Sequence, residues 1–157
     1  AFRGEPIPTL KAIAQYTRAQ NMASNIEIKP SPGLEAHTGT AIARQVAHDW
    51  QGASVPPLLS SFSLTALEAA QNVAPSLPRG WITKELDINW RETLAQLGCI
   101  SIHLHYLSLT ESLVTAIHTA GFRVAAWTVN DPARAATLLQ WGVDSVITDA
   151  LNLIQPE

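Results

Sequence analysis

Several large classes of protein are excluded by what this chain has too little of. It has one cysteine, Cys99, so it can form neither an intramolecular disulfide nor a multi-cysteine zinc site. It has no surplus of positive charge: ten Lys and Arg stand against thirteen Asp and Glu, and the net charge of −3 gives no electrostatic basis for binding nucleic acid or an anionic membrane. No run of about 18 apolar residues occurs, so nothing in it is long enough to span a bilayer. Gly-x-Ser-x-Gly, a Walker loop and every other local nucleophile or phosphate-loop signature are missing. The opening Ala1-Phe2-Arg3-Gly4-Glu5-Pro6 has neither an initiator methionine nor the plan of a signal peptide. It reads as the middle of a protein, with room for localisation signals upstream.

What is present suits one globular domain over 1–157. The chain is 46% hydrophobic and 15% charged, enough apolar material for a core and enough charge for a surface. Cys99 follows a glycine and leads into an apolar strand, so it reads as a small core residue rather than a catalytic thiol. Thr9 is a suitable N-cap for a helix to about residue 20, and Ser63 for one to about residue 73. A helix over 34–50 is expected to bury Ala36, Ala43, Val46 and Ala47. Asn130-Asp131-Pro132 is a strong helix start, a capping residue followed by proline at the first helical position.

Three segments repeat one grammar: Gln96-Leu97-Gly98-Cys99-Ile100, Thr119-Ala120-Gly121-Phe122-Arg123 and Gln140-Trp141-Gly142-Val143-Asp144. Each is a helix end, a terminating glycine and a strand. The glycines lie 23 and 21 residues apart, the length of one strand–helix unit. Strict alternation of strand and helix predicts a parallel sheet, with six strands near 25–30, 58–62, 80–83, 100–105, 124–129 and 144–149. A doubly wound sheet can have six strands, but it usually carries a glycine-rich phosphate turn after the first, and Lys29-Pro30-Ser31-Pro32-Gly33 is a poor one. A closed (β/α)8 TIM barrel takes eight strands and about 250 residues. The reading preferred is a fragment of such a barrel carrying about its last six strands.

In barrels of this kind the working residues lie at the C-terminal ends of strands. Along 25–30, Ile26 and Ile28 share one face while Glu27 and Lys29 share the other, which the barrel turns inward. Charge there is costly unless it is paired or used. Glu27 and Lys29 are therefore candidates, with a structural ion pair as the plain alternative. Ser60, Ser61 and Phe62 end the second strand and Trp81 lies in the third. Ile100, Ile102 and Leu104 are expected to face the helices, and Ser101, His103 and His105 the interior. Two histidines without a third nearby argue against zinc, and inward histidines read first as hydrogen-bonded core residues. Trp127 reads equally as packing or as a substrate wall, Asn130 as a polar strand end, and Asp149 as a polar end or as the cap of a last helical turn. His37, His48 and His118 read as surface residues of helices.

Asn25-Ile26-Glu27-Ile28-Lys29-Pro30, Leu59-Ser60-Ser61-Phe62, Leu77-Pro78-Arg79-Gly80-Trp81, Ala126-Trp127-Thr128-Val129-Asn130 and Gly142-Val143-Asp144-Ser145-Val146-Ile147-Thr148-Asp149 occur in this order. Together they resemble the glycerophosphodiester phosphodiesterase family, most closely its short cytosolic bacterial branch, over essentially the whole chain. Gly4-Glu5-Pro6-Ile7-Pro8-Thr9-Leu10 resembles the family's lead-in to its third barrel strand. The resemblance implies hydrolysis of glycerophosphodiesters to sn-glycerol 3-phosphate and an alcohol, a step of lipid and glycerol metabolism, in the cytoplasm. It also implies a divalent cation, Mg2+ or Ca2+, held by carboxylates. Glu27 matches the family's third metal carboxylate, and Lys29 its lysine near the phosphate, where an ammonium stabilises charge on phosphoryl oxygens. Phe62 and Trp127 match positions bordering the substrate pocket.

The chain also departs from that pattern. A first-strand His-Arg-Gly, a second-strand Glu-x-Asp and a following His-Asp motif have no counterpart in 1–157. The resemblance thus implies one carboxylate of three and neither catalytic histidine, hence weak cation binding and no turnover by this chain alone. Six strands leave two sheet edges open, which calls for a partner chain, a second copy or a missing N-terminal segment. Two other readings stay open: a non-catalytic binding module built on the Trp127 mouth, and a lyase with Lys29 as a Schiff-base amine.

Overall fold

The computed structural model describes residues 3–154. Its helices and strands alternate throughout: α1 (Leu10–Ala19), β1 (Asn25–Glu27), α2 (Glu35–Asp49), β2 (Leu58–Ser61), α3 (Leu64–Val73), β3 (Arg79–Thr83), α4 (Trp90–Gln96), β4 (Cys99–His105), α5 (Glu111–Thr119), β5 (Arg123–Trp127), α6 (Pro132–Gln140) and β6 (Ser145–Val146). The expected caps are in place. The side chains of Thr9, Ser63 and Asp131 accept from the N–H groups of Ala12, Ala66 and Ala133, satisfying donors that the first helical turn leaves open. Gly98, Gly121 and Gly142 take φ of 55°, 87° and 92°, the left-handed conformation that ends α4, α5 and α6 and turns the chain back into a strand.

All the strand pairs are parallel, and each strand lies beside the one before it in sequence, in the order β1-β2-β3-β4-β5-β6. A doubly wound sheet reverses its order at a switch point, and this one does not. Right-handed crossovers then place every connecting helix on the same face, and the twisted sheet curls away from them. The fold is a curled half-barrel, six strands of a (β/α)8 barrel.

The convex face carries the core. Ile102, Leu104, Val124 and Ala126 pack with Leu94, Val114, Ile117 and Leu138, and Ile28 and Leu59 pack with Ala43, Val46, Ala66 and Ala70. Cys99 belongs to the first of these clusters, and burial pushes its thiol up to about 12, against a smaller pull from Arg79. It is an inert core thiol, as the sequence suggested.

Three local expectations are corrected. Ile100 does not face the helices: it is 49% exposed, because Cys99 pairs with Arg79 and Ser101 with Gly80, leaving Ile100 as the extra residue of a bulge. Ala36 and Ala47 of α2 are exposed, and the buried stripe is Gly39, Ala43 and Val46, closed by Trp50. The strands also end earlier than the alternation suggests, β1 at Glu27 and β6 at Val146. Each of these two lies at an edge of the sheet and pairs on one side only. Single bonds carry the alignment further, from Ile28 N–H to the Ser60 carbonyl (2.6 Å) and from Val129 N–H to that of Ile147 (2.9 Å).

Gly39 lets α2 and α3 approach closely, since a Cβ there would lie 2.9 Å from Ala66 Cα. Alanine is the better helix former by about 1 kcal/mol. Gly39→Ala should nonetheless lower stability, by about 1–3 kcal/mol, because the obstacle is backbone and the helices must separate. Urea denaturation of the two proteins checks this; a gain in stability would show that the helices yield freely.

At the end of the sheet opposite the strand C-termini, Asp144 joins β5 to the start of β6. It accepts from Val124 N–H (2.8 Å) and Arg123 Nη1 (2.7 Å), and lies 2.8 Å from His118 Nε2. Partial burial pushes its carboxyl upward, but these three partners outweigh it and hold the group below the usual carboxylate range. His118 is thus at the surface as expected, with a structural partner.

Candidate active site

Strand polarity puts the C-terminal ends of β1 to β6 at one rim of the half-barrel. β1 delivers Glu27 and, one residue past its formal end, the alternation continues through Ile28 to Lys29. Ile28 is 1% exposed in the convex core, while Glu27 and Lys29 are both exposed on the other side. Ser61 fastens this end by donating to the Ile28 carbonyl at 2.6 Å. Among the described residues neither Glu27 nor Lys29 takes part in an ion pair. The structural ion pair that the sequence left open is therefore not formed, and both charges are free to meet something else.

Glu27, Lys29 and Phe62 line one cavity of about 370 Å3, together with Ser61 and Glu35. Glu35 was not singled out from the sequence. The signal was an acid in the first turn of the helix that follows the first strand, a turn that a barrel places at its mouth. Its Oε1 accepts from Gly33 N–H at 3.1 Å.

Phe62 leads from that cavity to the far side of the mouth. Its half-exposed ring meets Trp127 edge-on, with centroids 5.4 Å apart, although β3 and β4 lie between their strands. Trp127 is held by donating its indole N–H to the His103 carbonyl at 3.0 Å. Its other flank meets the His105 ring at 5.1 Å, and His105 in turn lies against Tyr106 at 5.0 Å. The four residues singled out in the sequence, Glu27, Lys29, Phe62 and Trp127, thus form one continuous rim.

Other polar strand ends have structural roles. Trp81 is 8% exposed and packs in the convex core; it pairs in register with Ser61, which lies on the same face. Ser60, Ser101 and His103 are buried on the concave face. His103 Nε2 lies 3.1 Å from Ser101 Oγ, and burial alone lowers its pKa to about 4, so the ring is neutral near pH 7. Gly80 makes room for it: a Cβ there would lie 2.7 Å from His103 Nε2. Asn130 Oδ1 accepts from Thr148 Oγ1 and Asp149 N–H, both at 2.9 Å, tying the end of β5 to the chain after β6. The last turn is capped by Thr148, whose Oγ1 accepts from Ala150 N–H, and not by Asp149.

A hard divalent cation prefers several oxygen ligands. Glu27 is one, and Glu35 lines the same cavity, but no group of three His, Cys, Asp or Glu able to hold a metal occurs among the described residues. These residues alone do not make a cation cage.

The model of the glycerophosphoryl diester phosphodiesterase family matches residues 1–153. The chain belongs to this family. It is 28% identical over 163 residues to a glycerophosphodiester phosphodiesterase of Caldanaerobacter subterraneus, covering 98% of this chain and 64% of that protein. Among solved structures, a phosphodiesterase of Oleispira antarctica, in complex with its product sn-glycerol-3-phosphate, is 32% identical with a TM-score of 0.83, over 92% of this chain and 58% of that one. A glycerophosphodiester phosphodiesterase of Thermotoga maritima shares the fold with a TM-score of 0.69 at 22% identity, over 93% and 62% of the two chains. The chain spans less than two thirds of the length of the curated relatives it matches. Family members are phosphoric diester hydrolases, and this chain corresponds to a fragment of their barrel.

Proposed function

We propose that the protein to which these 157 residues belong hydrolyses glycerophosphodiesters to sn-glycerol 3-phosphate and an alcohol in the cytoplasm, assisted by Mg2+ or Ca2+. The observation that carries this reading is the rim itself. A carboxylate and an ammonium with no ion-pair partner among the described residues share one cavity with Phe62, and Phe62 packs against Trp127. In the proposed site Glu27 is a cation ligand, Lys29 neutralises phosphoryl oxygens, and Phe62 with Trp127 borders the organic part of the substrate. A bound cation would supply Lewis-acid polarisation of the phosphate. Its remaining ligands and the acid–base groups come from outside this chain, which is inactive alone.

Two assays test this. With millimolar Mg2+ or Ca2+, the chain should bind a phosphate ester in a cation-dependent way, and Glu27→Ala should weaken that binding at least tenfold, the loss expected for a charged ligand. Cation-dependent release of glycerol 3-phosphate by the isolated chain would contradict its proposed inactivity. The absence of a three-ligand cluster among the described residues favours, as a second reading, a non-catalytic module that needs a partner. That reading predicts binding with no dependence on cation. The lyase reading has less support, because Lys29 is exposed and lacks the apolar enclosure that activates a Schiff-base amine.

A further inference from the structure

We propose that His105 determines specificity at this mouth, by hydrogen-bonding a hydroxyl of the polyol part of a phosphate ester seated against Trp127. The inference rests on the function proposed above and extends it to a residue that neither the motifs nor the family resemblance singles out.

Two histidines lie two residues apart on the concave face of β4, and their surroundings differ. His103 is 2% exposed, with Nε2 beside Ser101. His105 is half-buried at the C-terminal end of the strand, directly opposite Trp127 in the β4–β5 register. Its ring is fixed by packing on two sides, edge-on to Trp127 at 5.1 Å and tilted against Tyr106 at 5.0 Å. Neither of its nitrogens has a hydrogen-bond partner among the described residues, whereas the neighbouring Trp127 N–H is committed to the His103 carbonyl. The result is an oriented ring whose polar atoms are unused, and orientation by packing removes most of the entropy cost of using them.

The chemistry favours a hydroxyl over a phosphate. The two ring nitrogens of an imidazole can supply a donor and an acceptor, which matches an alcohol hydroxyl, whereas an ionised phosphate oxygen only accepts. The anionic end of the ligand has its own counter-charge at Lys29, across the Phe62–Trp127 contact. A flat aromatic wall beside a donor–acceptor pair suits the alternating C–H and O–H groups of a short polyol.

The test compares sn-glycerol 3-phosphate with n-propyl phosphate, which keeps the charge and carbon chain and lacks the hydroxyls. Both are titrated in magnesium buffer into the 157-residue chain and into its His105→Phe and His105→Gln variants, following the imidazole and indole NMR signals. The wild-type chain should prefer glycerol 3-phosphate by roughly three- to tenfold, the worth of one hydrogen bond. His105→Phe should lose the preference while binding n-propyl phosphate as before, and His105→Gln should keep part of it. A wild-type chain that binds both esters equally overturns this inference and leaves the proposed function standing. So does a preference unchanged in either variant, or an equal weakening of both ligands. If His105→Phe does not fold, the glutamine variant decides by the same criterion. A wild-type chain that binds neither ester overturns the proposed function and this inference together.

Discussion

Arg79→Met should destabilise the fold by about 3 kcal/mol, the loss of several charge-assisted hydrogen bonds whose acceptors stay behind. Arg79 is 4% exposed, and its guanidinium makes no ion pair among the described residues. Backbone carbonyls hold it instead. Nε donates to Leu97 (2.9 Å), Nη1 to Leu77 (2.7 Å) and Pro75 (3.2 Å), and Nη2 to Gly98 (3.2 Å). Those carbonyls lie in the turn after α3 and at the end of α4, where helix termini leave acceptors unsatisfied and the dipoles favour a cation. Burial lowers the pKa of the guanidinium, and Cys99 opposes this weakly. Methionine would keep much of the packing and none of the donors. Arg79→Lys should recover less than half of the loss, because a compact ammonium cannot reproduce the fork that reaches four carbonyls. Urea midpoints of the three proteins decide: a methionine variant within about 0.5 kcal/mol of wild type, the ordinary range for surface changes, would mean that water replaces the guanidinium at little cost.

The second large effect is a loss of stability on acidification, between pH 6.5 and about 4. His103 is buried with no ion-pair partner among the described residues, and its pKa falls from 6.5 to about 4 in the folded chain. Below pH 6.5 the unfolded chain takes up a proton that the folded chain does not, so the unfolded state gains. The stability is fully present above 6.5 and is lost as the pH falls, until His103 also protonates in the fold near 4. A gap of this size corresponds to about 3 kcal/mol. The carboxyls of Asp49 and Asp144, both held below their usual 3.8, act in the same direction at lower pH. His103→Gln should be less stable at pH 7 and should show a much flatter dependence between pH 6.5 and 4.5. An equal slope in wild type and variant would assign the effect to other groups. The orphaned Nδ1 of the same ring is the reason to expect the variant to fold, since the site already tolerates one unsatisfied polar atom.

How much of this was legible beforehand depended on the range of the interaction. The order of strands and helices, the caps at Thr9, Ser63 and Asp131, and the glycines at 98, 121 and 142 are set by residues within a few positions of one another. Such signals are readable in one dimension. So is the alternation that separates Glu27 and Lys29 from Ile28, because neighbouring strand side chains must point opposite ways. Motifs in order along the chain carried the family resemblance for the same reason. The bulge that exposes Ile100 depends on how two strands align across a helical connection. That Ser61 and Trp81 share the convex face follows from the β2–β3 register. The split between a buried His103 and an available His105 depends on where the sheet ends and on the room left by Gly80. Sequence by itself determined the repeating unit, its direction and the residues eligible for the rim. Only the tertiary structure decided that Phe62 reaches Trp127 across two intervening strands and that Glu27 and Lys29 form no ion pair among the described residues. Curvature brings those residues together, and curvature is a property of the whole sheet that no local stretch contains.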